Sequence, residues 1–107
     1  MTQLTDSTFQ GKIDECKNLV IKLAATWCGP CKALSPLFVE ITDHYSEDLE
    51  AAVVDIDDNP EIVQFFEVKS VPTMLFIKDG VVVKKITGML PKSKLEKEFS
   101  DFIDLSS

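Results

Sequence analysis

Cys28 and Cys31, separated by Gly29 and Pro30 and flanked by Trp27 and Lys32, are the residues of this chain best placed to do chemistry. Two thiols at this spacing either exchange electrons as a dithiol–disulfide pair or supply two of the four ligands of a zinc site. The flanking pattern separates the two. A run of strand formers, Leu19 to Ala25, precedes the pair, and an amphipathic helical pattern follows it from Pro30 to about Tyr45. A cysteine at a helix start lies beside unpaired N–H groups and the positive end of the helix dipole. That environment stabilises the thiolate, the nucleophile of disulfide exchange. The second sulfur falls one turn along, close enough to close a short disulfide. Pro30 suits the first turn, where its missing N–H costs nothing. A closed zinc site needs two further ligands, and Cys16 and His44 stand at no paired spacing. The acidic stretch Asp55-Ile56-Asp57-Asp58 lacks the further oxygen ligands of a cation site. No metal is expected.

The elements that must hold the pair follow from hydrophobic periodicity. Thr5, Asp6 and Ser7 offer capping chemistry for a first helix, with Phe9, Ile13 and Cys16 on its inward face. Cys16 reads as packing within that stripe, and His44 as a solvated residue late in the next helix. Leu19 to Ala25 is apolar throughout, as in a strand buried on both faces. In the helix after the pair, Leu34, Leu37, Phe38, Ile41 and Tyr45 share one face, and Pro36 should bend it. A second strand is expected over Ala51 to Ile56, then a short helix opened by Asn59-Pro60 and running through Phe66. Asp79-Gly80 joins strands Thr73 to Lys78 and Val81 to Thr87 as a hairpin. Leu95, Phe99, Phe102 and Ile103 place a last helix over Lys92 to Asp104. The order implies an α/β fold: a central mixed sheet covered by helices on both faces. Only Met1 to Leu4 precede the first cap, so a leading strand is expected to be vestigial or missing.

Composition narrows the class. The chain has 107 residues, 45% hydrophobic and 27% charged, which suits one hydrophobic core. No apolar stretch approaches the ~20 residues that span a membrane. The first residues lack the basic and apolar regions of a signal peptide, and three cysteines do not form a disulfide scaffold. A reducing, cytoplasmic compartment is expected. A net charge of −7 argues against a nucleic-acid partner.

Trp27-Cys28-Gly29-Pro30-Cys31-Lys32 resembles the thioredoxin active-site signature at every position, and Val71-Pro72-Thr73, Phe76-Ile77-Lys78-Asp79-Gly80 and Gly88 follow at thioredoxin-like intervals. The resemblance covers about Leu4 to Ile103. It implies a thioredoxin fold of four to five strands, one domain over residues 1–107, and a monomeric protein-disulfide reductase. The resemblance also implies no bound cofactor: electrons pass through a Cys28–Cys31 disulfide, supplied from NADPH by a thioredoxin reductase. Cys28, nearer the helix end and expected to be exposed, should attack a target disulfide. Cys31, one turn inside, should resolve the mixed disulfide. Pro72 is expected to follow a cis bond and lie against the cysteines, leaving the Val71 backbone to pair with an extended target segment. The Trp27 indole is expected to meet Asp57. Trp27, Gly29, Val71, Pro72, Gly88 and Met89 together resemble an apolar groove around the sulfur.

One departure stands out. The family commonly holds an aspartate six residues before the first cysteine; here that residue is Lys22, and Val53 replaces a frequent lysine partner. Lys22 either lies buried beneath the sulfurs, with Asp55 as a candidate partner, or snorkels to the surface. Two rival functions remain. A disulfide oxidase or isomerase on the same fold is opposed by Gly29-Pro30, since a histidine before the second cysteine would make a stronger oxidant. A redox-independent binding module would use the groove alone.

Overall fold

The computed structural model describes residues 1–105. Strands β1 (Thr2–Gln3), β2 (Asn18–Ala24), β3 (Glu50–Asp55), β4 (Thr73–Lys78) and β5 (Val81–Thr87) alternate with helices α1 (Phe9–Glu15), α2 (Gly29–His44), α3 (Pro60–Phe65) and α4 (Lys92–Asp104). They form one sheet in the order β1-β3-β2-β4-β5. The first three strands run parallel; β4 and β5 are antiparallel to their neighbours. The leading strand exists but is two residues long, pairing Thr2 with Ala52 and Gln3 with Val53. Asp79 (φ 50°) and Gly80 (φ 83°) both adopt the left-handed conformation that a tight two-residue hairpin requires.

β2 sits mid-sheet, and every residue from Asn18 to Leu23 is buried. Its alternation divides the core. Leu19, Ile21 and Leu23 join Ala52, Val54, Leu75 and Ile77 beneath Phe9, Ile13 and Ile62 of α1 and α3. Val20 points the other way, with Met74, Phe76 and Ile86, against Leu34, Phe38 and Ile41 of α2 and Leu95, Phe99 and Phe102 of α4. Phe99 meets the edges of Phe76 and Phe38 at centroid distances of 5.0 and 6.2 Å. Such pairs add to the ~1.5–3 kcal/mol from burying each ring. α2 runs on through Pro36 as a single helix.

The capping scheme differs from the local reading. Thr8, not Asp6, is the N-cap of α1, and the Thr5 carbonyl receives the N–H groups of Thr8 and Phe9. Asp6 instead caps α3: its carboxylate accepts from Ile62 N–H at 2.9 Å and Glu61 N–H at 3.2 Å. Asn59 holds the N-cap position of α3 without capping it. Its amide donates to the Asp55 carbonyl and its oxygen accepts from the Asp6 N–H, which fixes the two segments together. At the other end of α3 the Lys85 ammonium from β5 reaches the Phe66 and Glu67 carbonyls, each at 3.0 Å. An anion at the N-terminus and a cation at the C-terminus both suit the helix dipole.

Candidate active site

β2 delivers the chain to one end of the sheet, and Cys28 becomes the N-cap of α2 with extended backbone (φ −91°, ψ 113°). Its sulfur takes the place of a capping oxygen, accepting the Cys31 N–H at 3.1 Å. Pro30 in the first turn surrenders no bond it could have made. Cys28 and Cys31 are joined as a disulfide, with Cα atoms 5.3 Å apart. A cap that offers an N–H and a helix dipole to one sulfur favours negative charge on it when the bond is reduced.

Cys28 is not exposed as the sequence suggests: it is 5% accessible and Cys31 2%. The capping geometry turns the Cys28 sulfur inward, where it packs with Ala25 and Val71. It lies 3.8 Å from the Val71 carbonyl oxygen. Exposure belongs to the neighbours instead. Trp27 is 67% accessible, and Gly29, Pro30 and Lys32 are exposed.

The Trp27 indole N–H donates to the Asp57 carboxylate at 2.8 Å, and the Asp57 N–H is held by Asp55 at 2.9 Å. The Val71–Pro72 bond is cis, with Pro72 buried. Gly88, at φ 87°, donates its N–H to the Pro72 carbonyl at 2.8 Å and so ties the end of β5 to the start of β4. Met89 follows Gly88 and is exposed. Trp27 and Cys28, Val71 and Pro72, and Gly88 and Met89 thus come from three loops at one end of the sheet.

Lys22 is 6% accessible. Its ammonium donates to Ser35 Oγ at 2.6 Å and stands 5.4 Å from the centre of the Phe38 ring. Ser35 Oγ in turn donates to the Cys31 carbonyl at 3.0 Å. Burial pushes the Lys22 ammonium below the ordinary lysine range. The expected pairing with Asp55 does not form: β3 register sets Asp55 opposite Ala24, and its carboxylate turns to the Asp57 N–H. Ser35 was not singled out from sequence. The available signal was its position four residues after Cys31, where a helical serine can bond back to the i−4 carbonyl.

Cys16 and His44 lie away from the pair. Cys16 ends α1 and its thiol donates to Glu50 of β3, which also holds the Lys12 ammonium at 2.9 Å. His44 is exposed and stands edge-on to Tyr45.

The family model for thioredoxin matches residues 1–101. The thioredoxin of Mycobacterium tuberculosis (strain ATCC 25618 / H37Rv) is 39% identical over 102 residues, covering 94% of this chain and 88% of that protein. That of Listeria monocytogenes serovar 1/2a is also 39% identical, covering 94% and 97%. Among solved structures, oxidised mitochondrial thioredoxin 3 from Saccharomyces cerevisiae superposes with a TM-score of 0.86 at 37% identity, covering 94% of each chain. A dithiol pair at a helix start, on a sheet of this topology, in a chain this similar to thioredoxins carries no prosthetic group and works through its own disulfide. The chain belongs to the thioredoxin family and is a thiol–disulfide oxidoreductase of the protein-disulfide reductase type.

Proposed function

We propose that Cys28 is the attacking thiolate and Cys31 the resolving thiol of this reductase, with the whole chain acting as one monomeric domain in the cytoplasm. The observation that carries the assignment is the Cys31 N–H aimed at the Cys28 sulfur at 3.1 Å. Only the first sulfur sits at the N-cap, so it is the one whose negative charge the helix favours. In the reduced protein the Cys28 thiolate attacks one sulfur of a target disulfide, and the other target sulfur leaves as a thiolate. A mixed disulfide now links Cys28 to the target. Cys31 loses its proton and attacks the Cys28 sulfur, releasing the second target thiolate. Two electrons have passed from the pair to the target, and the Cys28–Cys31 disulfide remains. Electrons return from NADPH through a thioredoxin reductase.

The target is held by the groove of Trp27, Gly29, Val71, Pro72, Gly88 and Met89. Trp27 and Met89 offer apolar surface, and the Val71 backbone accepts an extended segment as an added strand. Gly29 and Pro30 shape the turn between the sulfurs, and Asp57 orients the indole. Insulin-disulfide reduction with dithiothreitol tests the proposal, repeated with both cysteines replaced by serine. Loss of activity in the double variant supports it. Retained binding to targets without any reduction would favour a docking module on the same groove. A measured reduction potential separates a reductant from an oxidase or isomerase.

A further inference from the structure

A lysine ammonium buried to 6% accessibility needs a compensating anion or a proton to lose. Among the described residues no carboxylate lies within ion-pair distance of Lys22 Nζ. Its hydrogen-bond partner is the Ser35 hydroxyl, and Ser35 is bonded onward to the Cys31 carbonyl. Two short hydrogen bonds in series therefore connect the ammonium to the turn of α2 that carries the second sulfur. The Lys22 side chain also lines a cavity of about 370 Å³ with Ala25, Thr26 and Asp55.

The surrounding charges include one anion that comes and goes with the redox state. From β3, Asp55 shares the cavity, but one of its oxygens is committed to the Asp57 N–H. From the β1 side Met1 and Gln3 line the cavity with no side-chain charge. The register partners Val53 and Met74 carry no charge. From α2 the groups are neutral Ser35, Phe38 and Val39, and the cysteine pair above them. When the pair is a disulfide it is neutral too. When two electrons enter, the S–S bond breaks, one sulfur takes up a proton, and the other remains a thiolate above that thiol's pKa.

We infer that Lys22 is a positioning residue that answers this redox-dependent charge: it binds its proton more tightly when the Cys28–Cys31 pair is reduced and, reciprocally, favours the thiolate. The inference rests on the assignment of Cys28 and Cys31 above. Linkage requires both halves to be equal in size. A neighbouring opposite charge shifts a titration by about one unit, about tenfold in the proton equilibrium. Burial alone accounts for the depressed lysine in the oxidised pair, and the thiolate offsets that depression.

The experiment has two arms. In wild type, heteronuclear NMR follows the Lys22 side chain through a pH titration in the oxidised protein and in protein reduced with dithiothreitol. Lys22 is expected to titrate about tenfold tighter in the reduced protein. Superimposable titrations overturn the inference, and this arm requires no substitution to fold. In the second arm, ultraviolet absorbance follows thiolate formation in reduced wild type, Lys22→Met and Ser35→Ala. Lys22→Met is expected to weaken thiolate formation about tenfold, and Ser35→Ala, which frees the ammonium without removing it, by less. A thiolate curve in folded Lys22→Met identical to wild type overturns the inference. If wild-type dithiol fails to exchange with glutathione disulfide at all, the fault lies in the roles of Cys28 and Cys31 and not in Lys22.

Discussion

Asp6 and Ile62 are 56 positions apart, yet the Asp6 carboxylate holds the Ile62 N–H at 2.9 Å as a helix cap supplied from elsewhere in the chain. α3 has six residues and cannot sustain itself alone, since isolated helices shorter than ~12–15 residues are marginal in water. Asp6→Ala should therefore cost about 1 kcal/mol, within the ~0.5–2 kcal/mol range of lost caps. A lower urea midpoint at unchanged slope checks this, with insulin reduction near the wild-type rate.

Phe99 is fully buried between Phe38 and Phe76. Phe99→Ala removes a ring that joins α4 to both α2 and the sheet, and about 3–5 kcal/mol of stability should go with it. Chemical denaturation of the variant beside wild type gives the value. A loss below about 1 kcal/mol would mean that the two helices repack around the hole.

Cys31→Ser leaves the capped sulfur intact and removes the resolving thiol. Incubated with an oxidised target protein, it should accumulate a mixed disulfide on Cys28 that survives non-reducing electrophoresis. Cys28→Ser should form no such adduct and reduce nothing. Wild-type turnover by Cys31→Ser would reverse the assignment.

Cys16 should be the inert thiol of the three. Burial, then its hydrogen bond to Glu50, pushes the Cys16 thiol up to about 12. At ~pH 8 roughly one molecule in ten thousand carries that thiolate. Iodoacetamide should label reduced Cys28 while Cys16 stays unlabelled, read by peptide mass spectrometry; comparable rates would contradict this. The same cluster shapes stability against pH. Cys16 holds its proton more tightly when folded, so its contribution is complete below its ordinary value of 9.0 and fades as pH rises toward 12. The Cys16 hydrogen bond, then the Lys12 one, lowers Glu50, whose contribution is present above 4.5 and fades below it. The difference in urea midpoint between wild type and Cys16→Ala should form a plateau between those limits and shrink outside both.

Short-range chemistry was legible in the sequence. Asp79-Gly80 placed the hairpin because few residue pairs tolerate two left-handed conformations, and β4, β5 and α4 fall at the expected residues. The fold followed from the alternation of strand and helix patterns together with the resemblance. Long-range partners were not legible. Asp6 looks like a local cap because it precedes a helix, and nothing in its neighbourhood points to residue 62. Cys28 reads as exposed because it lies nearer the helix end, whereas it packs with Ala25 and with Val71, brought over just ahead of β4. Asp55 seemed the natural partner for Lys22, but strand register decided for Ser35.

The two-ended clamp on α3 bears on how the protein is made. Its anion, Asp6, leaves the ribosome early, but its cation, Lys85, is added only after the whole of β4 has been synthesised. Asp57, the acceptor for Trp27, lies just ahead of that helix, and Asn59 pins the same stretch. A nascent chain therefore carries both active-site sulfurs long before the surface around them is fixed. The surface that Val71 and Gly88 supply around the pair is complete only once β4 and β5 have been added.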